Sequence, residues 1–104
     1  MDIDISDAAG GKVILKIKGN LDTYKASIAF KEALDGLYRT GKRDVILDLD
    51  EVEKINSFGT GKILMFYRRF KKDEGELYVK VPLHGTVKEV FEELKLDKLL
   101  KDFS

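Results

Sequence analysis

The chain has 104 residues, enough for one domain and for a hydrophobic core that needs no disulfide or metal staple. Hydrophobic residues make up 43% of it and charged residues 37%, but 19 basic and 19 acidic side chains cancel. That combination argues against a disordered polyampholyte and against a partner bound by counterion release from phosphates. The chain has no cysteine, hence no disulfide, thiolate nucleophile or Cys-based zinc site; it has no apolar run of membrane-spanning length; and its acidic start, MDIDISD, lacks the order of a signal peptide. The expectation is a soluble cytoplasmic protein, one domain over residues 1–104, that binds neither nucleic acid nor membrane.

Ile3 and Ile5 alternate with aspartates and predict a short edge strand, and Gly10-Gly11 predicts a turn. Val13, Leu15 and Ile17 alternate with Ile14, Lys16 and Lys18, the period of a half-buried strand, so the two segments pair as a hairpin. From Thr23 the period changes. Ala26, Ala29, Phe30, Ala33, Leu34 and Leu37 fall on one helical face, and Gly41 closes that helix.

Val45-Ile46-Leu47, followed by Asp48-Leu49-Asp50, reads as a strand that enters the core and leaves it polar. A junction, Ile55 to Gly61, leads into a second helix whose regular part is Ile63 to about Lys72, with Ile63, Tyr67 and Phe70 on the inward face. Asn56 or Ser57 is its candidate N-cap, with Gly59 and Gly61 in the first turn. Glycine costs about 1 kcal/mol against alanine inside a helix, so close backbone approach, to the sheet or to a partner, is expected there.

Asp73-Glu74-Gly75 is a turn, Glu76 to Val81 a strand, and Thr86 with Glu89 a capping box that opens a third helix with Val87, Val90, Phe91 and Leu94 inward. Leu96, Leu99, Leu100 and Phe103 form a final amphipathic turn or helix. The order is β-β-α-β-α-β-α-α, which predicts an α/β fold: a mixed sheet of four to five strands packed with three to four helices.

The junction carries the functional signal. Gly59-Thr60-Gly61-Lys62 resembles the end of a phosphate-binding P-loop, but Asn56 stands where that pattern needs its first glycine and Ile63 where it needs Ser or Thr. His84 is the only histidine, so no triad or histidine-rich metal site is assembled. Arg68-Arg69-Phe70-Lys71-Lys72 fits a helix C-terminus, where cations suit the dipole, and Asp48, Asp50, Glu51 and Glu53 fit a polar strand end better than a Mg²⁺ site.

Five segments, in order, resemble the anti-sigma factor antagonists, the small bacterial STAS domains. Gly19-Asn20-Leu21-Asp22 is similar to that family's G-[ED]-[LI]-D, and Val45 to Leu49 to its V-[IV]-L-[DN]-L strand. Ile55-Asn56-Ser57-Phe58-Gly59-Thr60-Gly61 is similar to the junction [IM]-D-S-[ST]-G-L-G. Glu74 to Leu77 resembles the turn G-G-E-L, and Leu96 to Leu100 the C-terminal element, with Lys95 at its usual glycine. The resemblance runs from about Val13 to Phe103.

It implies a partner-switching regulator of transcription, not an enzyme. Such a protein binds an anti-sigma factor that is also a serine kinase, is phosphorylated by it on the junction serine, here Ser57, and then no longer binds; a phosphatase resets it. ATP and Mg²⁺ belong to the kinase, and the chain itself needs no cofactor. The expected partner surface comprises Asp22, Asn56, Phe58, Gly59, Thr60, Gly61, Lys62, Met65 and Arg69. Phe58, Lys62, Met65 and Arg69 fall together on the face of the second helix opposite its inward one. Asn56, Asn20, Phe58, Thr60 and Lys62 depart from the family pattern, so two carboxylates are missing near Ser57. The alternatives are a non-phosphorylated STAS scaffold or transporter-associated subunit and, in another class, a small enzyme or nucleotide binder. A monomer or weak homodimer is expected, since zero net charge protects little against self-association.

Overall fold

The computed structural model describes residues 1–103. Strand β1 (Asp2–Asp7) turns through Ala9–Gly11 into β2 (Val13–Lys18), and the pair is antiparallel. Helix α1 (Tyr24–Arg39), β3 (Asp44–Glu51), α2 (Ser57–Lys72), β4 (Glu76–Lys80), α3 (Thr86–Glu93), α4 (Leu96–Leu99) and β5 (Lys101–Asp102) follow. The sheet order is β1-β2-β3-β4-β5, and every pair after the hairpin is parallel. Strands added in sequence order through right-handed crossovers put the intervening helices on one face.

Alternation along the strands fills the space beneath those helices. Val13, Leu15 and Ile17 of β2, Val45, Leu47 and Leu49 of β3, and Leu77 and Val79 of β4 are buried in one cluster with Phe30 and Leu34 of α1, Ile63, Phe66 and Phe70 of α2, and Phe91 of α3. The opposite face carries no helix. There Ile14, Ile46 and Tyr78 are register neighbours, as are Lys16, Asp48 and Lys80. Ile46 is buried on that face even so, which explains why three consecutive residues of β3 lose their water. The acidic residues beside them are neutralised: Lys16 lies 2.8 Å from Glu51 and 3.9 Å from Asp48, and Lys80 lies 3.0 Å from Asp50. Among the described residues no acidic or histidine cluster of metal-binding shape is assembled.

Three of the four helix ends marked in the sequence follow their local chemistry. The Thr23 hydroxyl accepts from the Ala26 N–H and starts α1, and Gly41, at φ 89°, ends it, with Gly41 N–H donating to Tyr38 O and Lys42 N–H to Leu37 O. Asn56 caps α2. The predicted capping box at Thr86 does not form: Gly85, at φ 103°, is the N-cap without a side-chain bond, and Thr86 is already helical. The positive φ lets the chain turn into α3 one residue earlier than the hydroxyl pattern implies.

Other expectations are corrected by packing. Phe66, not Tyr67, is the fully buried aromatic between Ile63 and Phe70; Tyr67 is half-buried beside them. Ala29 and Leu94 are exposed: the buried face of α1 runs through Ala26, Ser27, Phe30, Leu34 and Leu37, and Leu94 is the C-cap of α3, beyond its buried Val87 and Phe91. The C-terminal segment is helical only over α4, then pairs with β4 at Tyr78 and Val79 as a fifth strand.

Candidate functional site

The site lies where β2 and β3 end side by side. Leu21 and Ile55 form one more parallel bridge beyond the strands, Leu21 N–H donates to Lys54 O, and Asn56 N–H donates to Leu21 O. Asn20 closes the same corner from its side chain, its Oδ1 accepting from the Glu53 and Lys54 N–H groups at 3.3 and 3.1 Å. A neutral amide therefore does structural work at a position where the resembling motif carries an acid.

Asn56 is the hinge between this corner and α2. Its Oδ1 accepts from the Phe58 N–H at 3.0 Å, and its Nδ2 donates to Asp22 O at 2.7 Å. A carboxylate could make the first bond but has no proton for the second. Asn56 thus ties the loop after β2 to the first turn of α2, which places Asp22 beside the junction, as expected. With Asn56 as the cap, Ser57 is the first helical residue. It is exposed, and its hydroxyl has no hydrogen-bond partner among the described residues.

The two junction glycines answer different needs. A Cβ on Gly59 would sit 2.8 Å from Leu21 O and 2.9 Å from Ile55 Cγ1, so α2 approaches the β2–β3 corner through this residue. Gly61 is exposed, and a Cβ there would meet nothing within 4 Å. Thr60 is buried, and its hydroxyl donates to Asn56 O at 3.2 Å. Gly59 and Thr60, grouped with the partner-facing residues in the sequence, therefore sit beneath the surface and support it.

What remains outside is Ser57, Phe58, Gly61, half-buried Lys62 and Met65. Phe58 is 48% exposed and meets the ring of Tyr24, 64% exposed, edge to face at 5.9 Å between centroids. Tyr24 escaped the sequence reading. It opens a different helix, and the Leu21–Ile55 bridge together with the Asn56–Asp22 tie brings the two helix starts side by side.

Arg69 departs from the expected outward stripe. Its guanidinium donates to Asp35 of α1 at 2.7 Å and lies 4.5 Å from the Tyr38 ring centroid, in the seam between α1 and α2. Lys31 holds Asp35 from the other side at 2.8 Å, and these two cations, Lys31 first, keep the Asp35 carboxyl below its ordinary range.

The family model for the STAS domain matches residues 2–104. Among solved structures, the chain is similar to a putative anti-sigma factor antagonist from Thermotoga maritima, with a TM-score of 0.87 at 23% identity, covering 98% of this chain and 86% of that one. It is similar to the unphosphorylated anti-sigma factor antagonist SpoIIAA, with a TM-score of 0.80 at 18% identity over 99% and 89% of the two chains. An anti-sigma factor antagonist from Mycobacterium paratuberculosis matches with a TM-score of 0.80 at 18% identity over 98% and 84%. The sheet order, the junction at the end of β3 and the family match agree: the chain belongs to the STAS domain family.

Proposed function

We propose that the chain is an anti-sigma factor antagonist that binds an anti-sigma factor with serine kinase activity, and that phosphorylation of Ser57 releases it. One observation carries this reading: Ser57 presents an exposed, unengaged hydroxyl at the first position of α2, while Asn56 does the capping. A phosphate there adds about −1.5 to −2 charges beside the free N–H groups and positive dipole end of a helix. The fold tolerates that anion because no capping bond is lost. The docking surface does not, because charge and bulk appear next to Phe58 and Tyr24. SpoIIAA, similar in fold, is described in a phosphorylated form, which supports the reading by analogy.

On this reading the chain is a regulator and a kinase substrate, not a catalyst. It works in the cytoplasm beside its kinase, and a phosphatase restores it. No helix among the described residues is long and apolar enough to cross a membrane. Asp22, Phe58, Gly61, Lys62 and Met65 face the partner, with Asn56, Gly59 and Thr60 beneath them.

The test is incubation with the anti-sigma kinases of the source organism and Mg-ATP, with phosphate mapped by mass spectrometry. A single phosphate on Ser57, its loss in Ser57→Ala, and release of the kinase by the phosphorylated form are expected. Stable binding to another protein with no phosphate on Ser57 would replace this reading by a STAS scaffold or transporter-associated subunit.

A further inference from the structure

Gly61, Leu64, Met65, Arg68, Arg69 and Lys72 line a shallow groove of about 360 Å³ along the outer side of α2. Their spacing, i, i+3, i+4, i+7, i+8, i+11, makes them one continuous stripe. Its two halves differ. Near Ser57 it is apolar and open: Gly61 has no neighbour where a Cβ would stand, Leu64 is half-buried and Met65 is 36% exposed. Toward the end of α2 it is cationic. Arg69 is engaged by Asp35, but Arg68 and Lys72 are exposed and enter no ion pair among the described residues, and no carboxylate lines the groove. A glycine at the fifth position of α2 weakens the helix and gains no contact within the chain, so its value lies in letting another surface come close.

We infer that this groove receives an acidic amphipathic helix of the partner, laid antiparallel to α2; the inference rests on the docking reading above and names the chemistry of what docks. The stripe spans twelve residues, about 16 Å over eleven rises of 1.5 Å, which is three turns of an incoming helix. A large apolar side chain of that helix enters over Gly61 between Leu64 and Met65, and its glutamates or aspartates meet Arg68 and Lys72. The antiparallel direction places those acids in the incoming helix's first turns, where its own dipole favours them, and sets the two macrodipoles head to tail. A second copy of this chain is a poorer occupant, because the same stripe brings no carboxylate to Arg68 and Lys72.

The probe is a capped 16-residue peptide with glutamates in its first two turns and leucines in its last two on one face, beside a counterpart carrying lysine for each glutamate. Binding is read as amide shifts of the ¹⁵N-labelled protein. The acidic peptide is expected to perturb residues 61–72, to weaken with added salt, and to bind at least about tenfold more tightly than the lysine peptide. Arg68→Glu with Lys72→Glu is expected to reverse that preference, and Gly61→Leu to abolish binding of both. Equal binding of the two peptides to wild type, shifts elsewhere on the protein, or concentration-dependent shifts of 61–72 without peptide would overturn the inference; the last outcome would assign the groove to a second copy. An anti-sigma kinase that binds the doubly substituted protein as tightly as wild type would also overturn it while leaving the proposed function intact. Failure of every kinase to bind or phosphorylate wild type would remove the proposed function, and the peptide result would still decide the groove.

Discussion

The two ends of α2 are held in opposite ways. At its start the backbone is tied down and the side chains are left free: Asn56 bonds to Phe58 N–H and Asp22 O, Gly59 presses on Leu21, and Ser57 and Phe58 point outward. At its end the side chains that face α1 and β4 are engaged, while Arg68 and Lys72 stay on the outer side. Arg69 is bound to Asp35, Lys71 to Glu76 at 2.9 Å, and the Tyr38 hydroxyl donates to Asp73, the C-cap. Arg43 and Arg69 lie 4.2 and 4.5 Å from the Tyr38 ring centroid. The comparison teaches how a small domain offers a rigid contact surface: one end of the helix anchors it through side chains, so the other can position side chains that make no bonds of their own.

Substitutions can break this contrast, and the largest effect belongs to the anchored end. A Cβ at Gly75 would stand 2.2 Å from the Arg43 carbonyl oxygen, which already accepts from Glu76 N–H at 2.8 Å. Backbone must move on both sides, so Gly75→Ala is expected to cost about 3 kcal/mol, read from the urea midpoint. At the presenting end Gly59→Ala meets Leu21 O at 2.8 Å and is expected to cost about 2 kcal/mol, whereas Gly61→Ala meets nothing and should stabilise by up to about 1 kcal/mol. Parallel melts of the two alanine variants check the pair; equal effects would dissolve the distinction between the glycines.

Asn56→Ala removes the cap and the tie to Asp22, and a loss of about 1–2 kcal/mol is expected, with amide exchange rising at both 20–23 and 56–60. Asn56→Asp keeps the cap but not the donor, so it should loosen residues 20–23 alone.

The smallest effect is a pH dependence at the seam. The folded Asp35 carboxyl lies below its ordinary value because Lys31 and then Arg69 favour its charged form. A depressed folded value contributes stability above the unfolded pKa, near 3.9, and that contribution is lost as pH falls through the folded value. Stability should therefore gain an acid-side slope below about pH 4, worth no more than about 1 kcal/mol for so exposed a pair, and Asp35→Asn should remove it in acid titrations followed by circular dichroism.

Much of this architecture was written locally. Alternation placed β2, a compact β-prone run placed β3, the 3.6 period placed α1 and α2, and Thr23, Gly41 and the Asn56-Ser57 pair marked helix ends, because each signal acts within a few residues. β5 was not legible, since two residues become a strand only by pairing with β4. Leu94 misled for the opposite reason: its period is helical, but no partner element lies over it.

The same division runs through the site. The sequence by itself determined that residues 55–61 form a glycine-bearing junction ahead of a helix, that a serine stands there, and that the motifs follow those of the STAS family. Tertiary structure decided which side chains face outward. It gave Gly59 to the β2–β3 corner and left Gly61 open, turned Arg69 into the α1–α2 seam, left Arg68 and Lys72 without counter-ions, and set Tyr24 against Phe58. Periodicity reports only which residues share a face of one helix. Which face meets water, and which charge meets its opposite, depends on neighbours more than thirty residues away in the chain, and only the packed fold brings them within bonding distance.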